Sequence, residues 1–152
     1  MFKKIFLFLF IFSIFVFSKE GRKDNYEKFY EEIKKIFSLN PEEVVKGIYN
    51  IGEKKIEKGV PILLKFLNDT SIVYLQYNSD GKWTRIDKEA EEAIVKIGEK
   101  SLGYIYDLLN EKYPYVEIDE KIEIKIISIV SKITGKNFEN IEECFEYLEK
   151  IK

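Results

Sequence analysis

The sequence predicts a mainly α fold, a short α-solenoid of stacked helical hairpins with a β-hairpin inserted around 71–86. Three observations carry that reading. The phrase Ile-Gly-Glu-Lys occurs twice, at Ile51–Lys54 and at Ile97–Lys100, each time closing one amphipathic segment and preceding a second apolar one. Under a constant shift of 42 positions, Val60, Leu63, Phe66, Leu67 and Asn68 fall on Leu102, Ile105, Leu108, Leu109 and Asn110. The stretch between the copies, Ser71–Ile86, abandons the helical period and is rich in β-branched and aromatic residues. Repeats of this size are units that bury their apolar faces by stacking on one another.

The first 18 residues stand apart from the rest. Lys3 and Lys4 form a basic start, Ile5–Phe17 is apolar except for Ser13, and Val16-Phe17-Ser18 offers a cleavage region. This is the pattern of a secretory signal, leaving 19–152 as the repeat domain. Ile5–Phe17 spans 13 positions, short of the roughly 18–20 that a membrane helix needs. The expected location is therefore periplasmic or secreted, with an uncleaved anchor as the alternative. Membrane contact is expected only if that segment is retained.

After a short charged lead, Tyr26, Phe29, Tyr30, Ile33, Ile36 and Phe37 recur at spacings of three and four. They predict a first helix, capped by Asp24, that covers the open side of the first repeat. Glu31 and Glu32 are expected to face outward with Lys34 and Lys35. The first repeat opens at Asn40-Pro41, a capping residue followed by a proline at the position that needs no amide hydrogen. Val44, Val45, Ile48 and Ile51 make its inner stripe, Gly52 is expected to end the helix, and 60–67 forms the partner helix. In the insertion, 72–77 and 82–86 read as strands joined by the turn residues Asn78-Ser79-Asp80-Gly81. Asp87 then caps a helix striped with Ala90, Ala93, Ile94 and Ile97, and Leu102, Ile105, Leu108 and Leu109 mark its partner. The third unit carries Ile122, Ile126, Ile129, Val130 and Ile133. A last helix capped by Asn140, with Glu143 reaching back, presents Ile141, Phe145 and Leu148.

An alanine-bearing helix closing on Ile-Gly and followed by a leucine-rich one resembles the HEAT-like repeats of many bacterial proteins, the group that includes the phycobilin lyase type. The resemblance rests on Glu89–Asn110, on Glu42–Asn68 and on Ile133–Phe138. It implies α-solenoid architecture and a binding or scaffolding role, and it carries over no catalytic residues. The chain departs from that pattern where the hairpin interrupts the array, and where the usual Asp-Val-Arg start of helix one is reduced to Asp87, Lys88 and Glu89.

The inventory of reactive groups is narrow. Histidine is absent and Cys144 is the single cysteine, so nucleophilic triads and common zinc sites lack their parts. Cys144, among apolar neighbours at helical spacing, reads as a small buried hydrophobe. Carboxylate pairs occur at Glu31-Glu32, Glu91-Glu92 and Glu142-Glu143, each on the polar side of a helix beside lysine, and read as solvated faces. Gly98-Glu99-Lys100-Ser101 lacks the spacing of a phosphate loop. Residues 76–87 imitate a calcium loop, but with Gln76 leading and Asp87 at the twelfth place instead of Glu. No cofactor and no metal are expected. Lys and Glu are interleaved without a basic block in a chain of net charge −2, which argues against nucleic acid.

The recognition candidates are aromatic. Trp83, with Tyr74, Tyr77 and Arg85 on the hairpin, supplies the side-chain types enriched in binding hot spots. The competing use of Trp83 is packing of the hairpin onto the repeat beneath it. Tyr104, Tyr106, Tyr113 and Tyr115 form a second group that serves either as rim packing or as contact surface. The sequence thus points to an exported, non-catalytic module that binds a protein or peptide, not to an enzyme. The alternative is a small cell-envelope enzyme or ligand carrier using a carboxylate-lined cleft.

Overall fold

The computed structural model describes residues 23–77 and 80–152. The predicted signal segment, 1–18, lies outside them, as do the side chains of 23–26, 28, 77 and 80. The described chain is mainly helical with one small antiparallel sheet. Helix α1 (Lys23–Ile36) is followed by α2 (Pro41–Glu53), a 3-10 turn at Glu57–Gly59, and α3 (Val60–Phe66). Strands β1 (Ile72–Tyr77) and β2 (Asp80–Arg85) come next, running directly into α4 (Ile86–Ile97). A 3-10 turn at Gly98–Ser101 leads into α5 (Leu102–Leu109), and α6 (Glu120–Thr134) and α7 (Ile141–Ile151) complete the chain. No helix among the described residues is long and apolar enough to cross a membrane.

The core runs continuously through these elements. Helix α2 packs against both α1 and α4; α4 also meets α3 and α6, and α7 closes on α5 and α6. The apolar stripes read from periodicity point inward: Val44, Val45, Ile48 and Ile51 on α2, Ala90, Ala93, Ile94 and Ile97 on α4, and Ile122, Ile126, Ile129 and Val130 on α6 are all buried. Cys144 is a buried member of the same core, and burial pushes its thiol up to about 11.

Caps form largely as predicted. The Asn40 side chain accepts from the Glu42 amide at 3.0 Å with Pro41 beginning the helix. The Asn140 side chain accepts from the Glu143 amide at 2.8 Å, while the Glu143 carboxylate accepts from the Glu139 amide. Two predicted caps differ. Helix α1 is described from Lys23, and Asp24 lies within it. Helix α4 starts at Ile86 with Arg85 in the capping position, so Asp87 lies within the helix and is buried. The turn of the hairpin is also tighter than expected: Asp80 and Gly81 belong to β2, pairing with Tyr77 and Gln76.

The two Ile-Gly-Glu-Lys phrases prove unlike in structure. Gly98 has φ +76° and nothing near its missing Cβ, so it serves as a backbone position that L side chains resist. Gly52, expected to terminate α2, sits inside its last turn, and a Cβ there would fall 2.7 Å from Cα of Ala93. Helix α2 instead ends in a Schellman arrangement with Lys55 at φ +49°, the amides of Lys55 and Ile56 donating back to the carbonyls of Gly52 and Ile51. The first glycine thus sets how closely α2 and α4 approach, and the second redirects the chain.

Gly52→Ala is therefore expected to cost about 1–3 kcal/mol by overpacking against Ala93. Adding Ala93→Gly should return part of that loss. Chemical denaturation of the two single variants and the double variant checks it: strictly additive effects would remove the contact as the explanation.

Candidate functional site

The hairpin is bound to the helices by one face. Pairing runs Ile72 with Arg85, Val73 with Thr84, Tyr74 with Trp83, Leu75 with Lys82, and Gln76 with Gly81. Alternation then separates two faces. Val73 and Leu75 point into the core, where each stabilises the fold by about 1.5–3 kcal/mol relative to exposure. The Thr84 hydroxyl, on that side, donates to the buried carboxylate of Glu89 at 2.7 Å.

The other face holds the predicted site. Trp83 is 67% exposed, Ile72 66% and Tyr74 40%. The competing use of Trp83 is thus not the one realised, because the hairpin packs through Val73 and Leu75. Tyr74 and Trp83 are cross-strand partners with ring centroids 4.9 Å apart at 55°, a tilted pair that holds both rings in place. Gly81 makes room for it: a Cβ there would overlap the Tyr74 hydroxyl. The Tyr77 backbone closes the ladder with Asp80, and its side chain lies outside the described residues.

Arg85 lies on this face too but is already engaged. Its Nε and a terminal nitrogen donate to the two carboxylate oxygens of Asp87 at 3.0 and 2.7 Å. Asp87 is fully buried and also accepts from Lys125 of α6, which donates to the Leu67 carbonyl at the end of α3 as well. Burial opposes ionisation of Asp87, but the hydrogen bonds from Lys125 and Arg85 outweigh it and hold the carboxyl below its ordinary value of 3.8. The twelfth place of the imitated calcium loop is therefore filled by an acid committed to two cations, and Gln76 and Asp80 lie in strands.

The carboxylate pairs divide in a way the sequence reading did not foresee. Glu32 and Glu91 are buried, not solvated. Glu32 accepts from Lys35, Asn50 and Lys54, which overcome the effect of burial and lower its pKa. Glu91 accepts from Lys88 through both oxygens at 3.0 Å. Among the described residues no group of three or more His, Cys, Asp or Glu is arranged to hold a metal ion, and no buried side-chain polar atom lacks a hydrogen-bond partner.

The second aromatic group is largely rim packing. Tyr106 stacks on Phe145 at 5.3 Å and lies under Lys152, while Tyr113 tilts against Tyr115 and burial pushes its hydroxyl up to about 12. Tyr104 is half-buried, and burial raises its hydroxyl as well. Sequence reasoning missed a different exposed residue. Leu39 is 98% exposed immediately before the Asn40 cap, where a hydrophobic residue ordinarily folds back onto the fourth helical position, here Val44. That staple is open. Leu39, Pro41, Val44, Ile36, Phe66 and Ile72 line a shallow groove of about 350 Å³ between the α1–α2 turn and the start of β1. The Leu-Asn-Pro order marked the cap, but nothing in it showed that the leucine would stay outside.

Comparison with known protein families, with curated proteins and with solved structures gave no match.

Asp87 yields a pH prediction. Its pKa is depressed by folding, so its contribution is present above its ordinary value of 3.8 and is lost as pH falls through the lower folded value. Lys125→Met is expected to cost about 3 kcal/mol near neutrality by leaving Asp87 with one cation, and the deficit should shrink as acid protonates the carboxyl. Urea unfolding across that range measures it. A deficit independent of pH would show that Lys125 acts through packing alone.

Proposed function

We propose that this chain is an exported, non-catalytic module that binds a protein or peptide, built as a short α-solenoid of HEAT-like helical hairpins and using the outward face of its inserted hairpin. One observation carries the reading. The hairpin turns its larger apolar set, Ile72, Tyr74 and Trp83, away from the core, and buries the smaller set of Val73 and Leu75. Burial of apolar area alone favours the opposite arrangement, since an aromatic side chain removes about 150–250 Å² from water. An aromatic pair left outside, its rings in tilted contact and beside a further exposed isoleucine, is the composition of a recognition surface.

Arg85 supports that surface by fixing the base of the hairpin and presents its outer edge, while Tyr74 and Trp83 supply contact area. The repeat-like spacing of Glu42–Asn68 and Glu89–Asn110 agrees with a scaffold role. The carboxylate-cleft alternative draws less support: the buried acids Glu32, Asp87 and Glu91 each face lysine, buried Glu89 accepts from the Thr84 hydroxyl, and the one acid lining the groove, Asp69, accepts from the Ser71 amide.

Binding is expected to be lost in Tyr74→Ala/Trp83→Ala while the helical signal and unfolding midpoint change little, as both rings are exposed. Crosslinking capture with the parent chain and the double variant, with captured species identified by mass spectrometry, tests it. A partner held equally by both would move the site off the hairpin.

A further inference from the structure

Strand β1 has an open edge whose hydrogen-bonding groups can be assigned from the register. The Ile86 amide donates to the Ser71 carbonyl at 3.1 Å; these two residues are directly opposed when the register is continued past Ile72 and Arg85, so this single bond sets the phase of the ladder. Closely and widely bonded pairs alternate in an antiparallel sheet. Val73, Leu75 and Tyr77 therefore bond to β2, and the amides and carbonyls of Ile72, Tyr74 and Gln76 point away from it. The sheet has two strands, and none of these outward groups is paired with another part of the described chain. All three residues are exposed.

The edge also lacks the usual protection. Edge strands that must stay unpaired carry charge, proline or a bulge. Strand β2 carries Asp80, Lys82 and Arg85, whereas β1 reads Ile-Val-Tyr-Leu-Gln-Tyr with no charge, no proline and unbroken pairing. Beside the first residues of this edge lies the groove left by the open Leu39 staple, lined by apolar side chains together with Ser38, Asp69 and Ser71, so that polar and apolar atoms share its surface about equally. Asp69 is occupied in part, accepting from the Ser71 amide.

We propose that β1 receives an extended, uncharged segment of the partner protein as a third strand. The segment pairs with the outward groups of Ile72, Tyr74 and Gln76 and places one apolar side chain in the groove beside Leu39. This rests on the binding role of the hairpin and names its mode: main-chain pairing provides affinity, and the groove and the Tyr74–Trp83 face read alternate side chains. An extended segment suits the site because the outward donors and acceptors recur at every second residue, the period at which a strand presents its own.

The test uses the full chain and peptides selected on it from a random phage-displayed library. The selected sequences should be uncharged and rich in β-branched or aromatic residues at alternate positions. In the complex, hydrogen exchange should slow at the amides of Ile72, Tyr74 and Gln76, while Val73 and Leu75, already bonded to β2, change little. Gln76→Pro removes an outward amide without touching the ladder, and Leu39→Glu charges a fully exposed groove residue. Each should weaken binding by at least about tenfold, equivalent to about 1.4 kcal/mol. Peptides that bind both variants like the parent, yet are lost in Tyr74→Ala/Trp83→Ala, would overturn strand addition and keep the binding surface. Failure to select any peptide would overturn the proposal. So would a dimer of the parent that Gln76→Pro converts to monomer, because a second copy then occupies the edge.

Discussion

The position of the hairpin depends on a single buried carboxylate. Asp87 lies in the first turn of α4, and its two oxygens hold Arg85 at the foot of β2 and Lys125 on α6. Lys125 in turn donates to the last carbonyl region of α3 at Leu67. One cluster therefore joins the strand, the helix that continues from it, the helix across the core and the end of the preceding helical pair. An uncompensated buried carboxylate costs several kcal/mol, so the acid and its cations fix one another's positions instead of simply adding stability. Strand β2 has no connecting loop before α4, and with Ile86 and Asp87 both buried the side-chain parity of the strand is set from its C-terminal end.

That parity explains why the outward face is what it is. Once Ile86 is inside, alternation directs Thr84 to the core and Arg85 and Trp83 outward. Across the ladder the same alternation puts Val73 and Leu75 inside with Ile72 and Tyr74 outside. A slip of one residue would bury the larger aromatic set, but it would also expose Ile86 and strand Asp87 away from Lys125. The electrostatic anchor prevails over the apolar area, and the exposed aromatic pair is its consequence. Tyr74 and Trp83 then cover part of each other and of Gly81, which limits the cost of their exposure without eliminating it.

Much of the fold was legible from local rules that act within one element. The stripes of α2, α4 and α6, the Asn40 and Asn140 caps and the hairpin itself follow from periodicity and capping chemistry. What escaped was set by contacts between elements distant in sequence. Gly52 looks like Gly98 in its immediate phrase, and only the approach of Ala93 from α4 distinguishes a contact glycine from a terminator. Glu32 looks like Glu31, but α2 brings Asn50 and Lys54 over it and makes burial tolerable. Asp87 looked like a cap because the cation that buries it lies 38 positions away. Of the four predicted binding residues, Tyr74 and Trp83 are together and exposed, and Arg85 is present but committed. The exposure of Leu39 is not legible because capping chemistry marks where the helix begins and not whether the preceding side chain folds back onto it.

Rigidity and exposure coincide at this surface. The hairpin is not a free loop: its inner side chains reach the core, its base is tied by Asp87, and its outer rings are held by each other. Residues fixed in this way lose little further freedom when a partner arrives, and that lost freedom is a main cost of association. The α1–α2 turn bounds the same surface on its other side, with the Asn40 cap holding the backbone while Leu39 stays outside. The sheet edge, groove and aromatic face are thus presented by elements that the core already orders, which is what the proposed strand addition requires to keep that cost small.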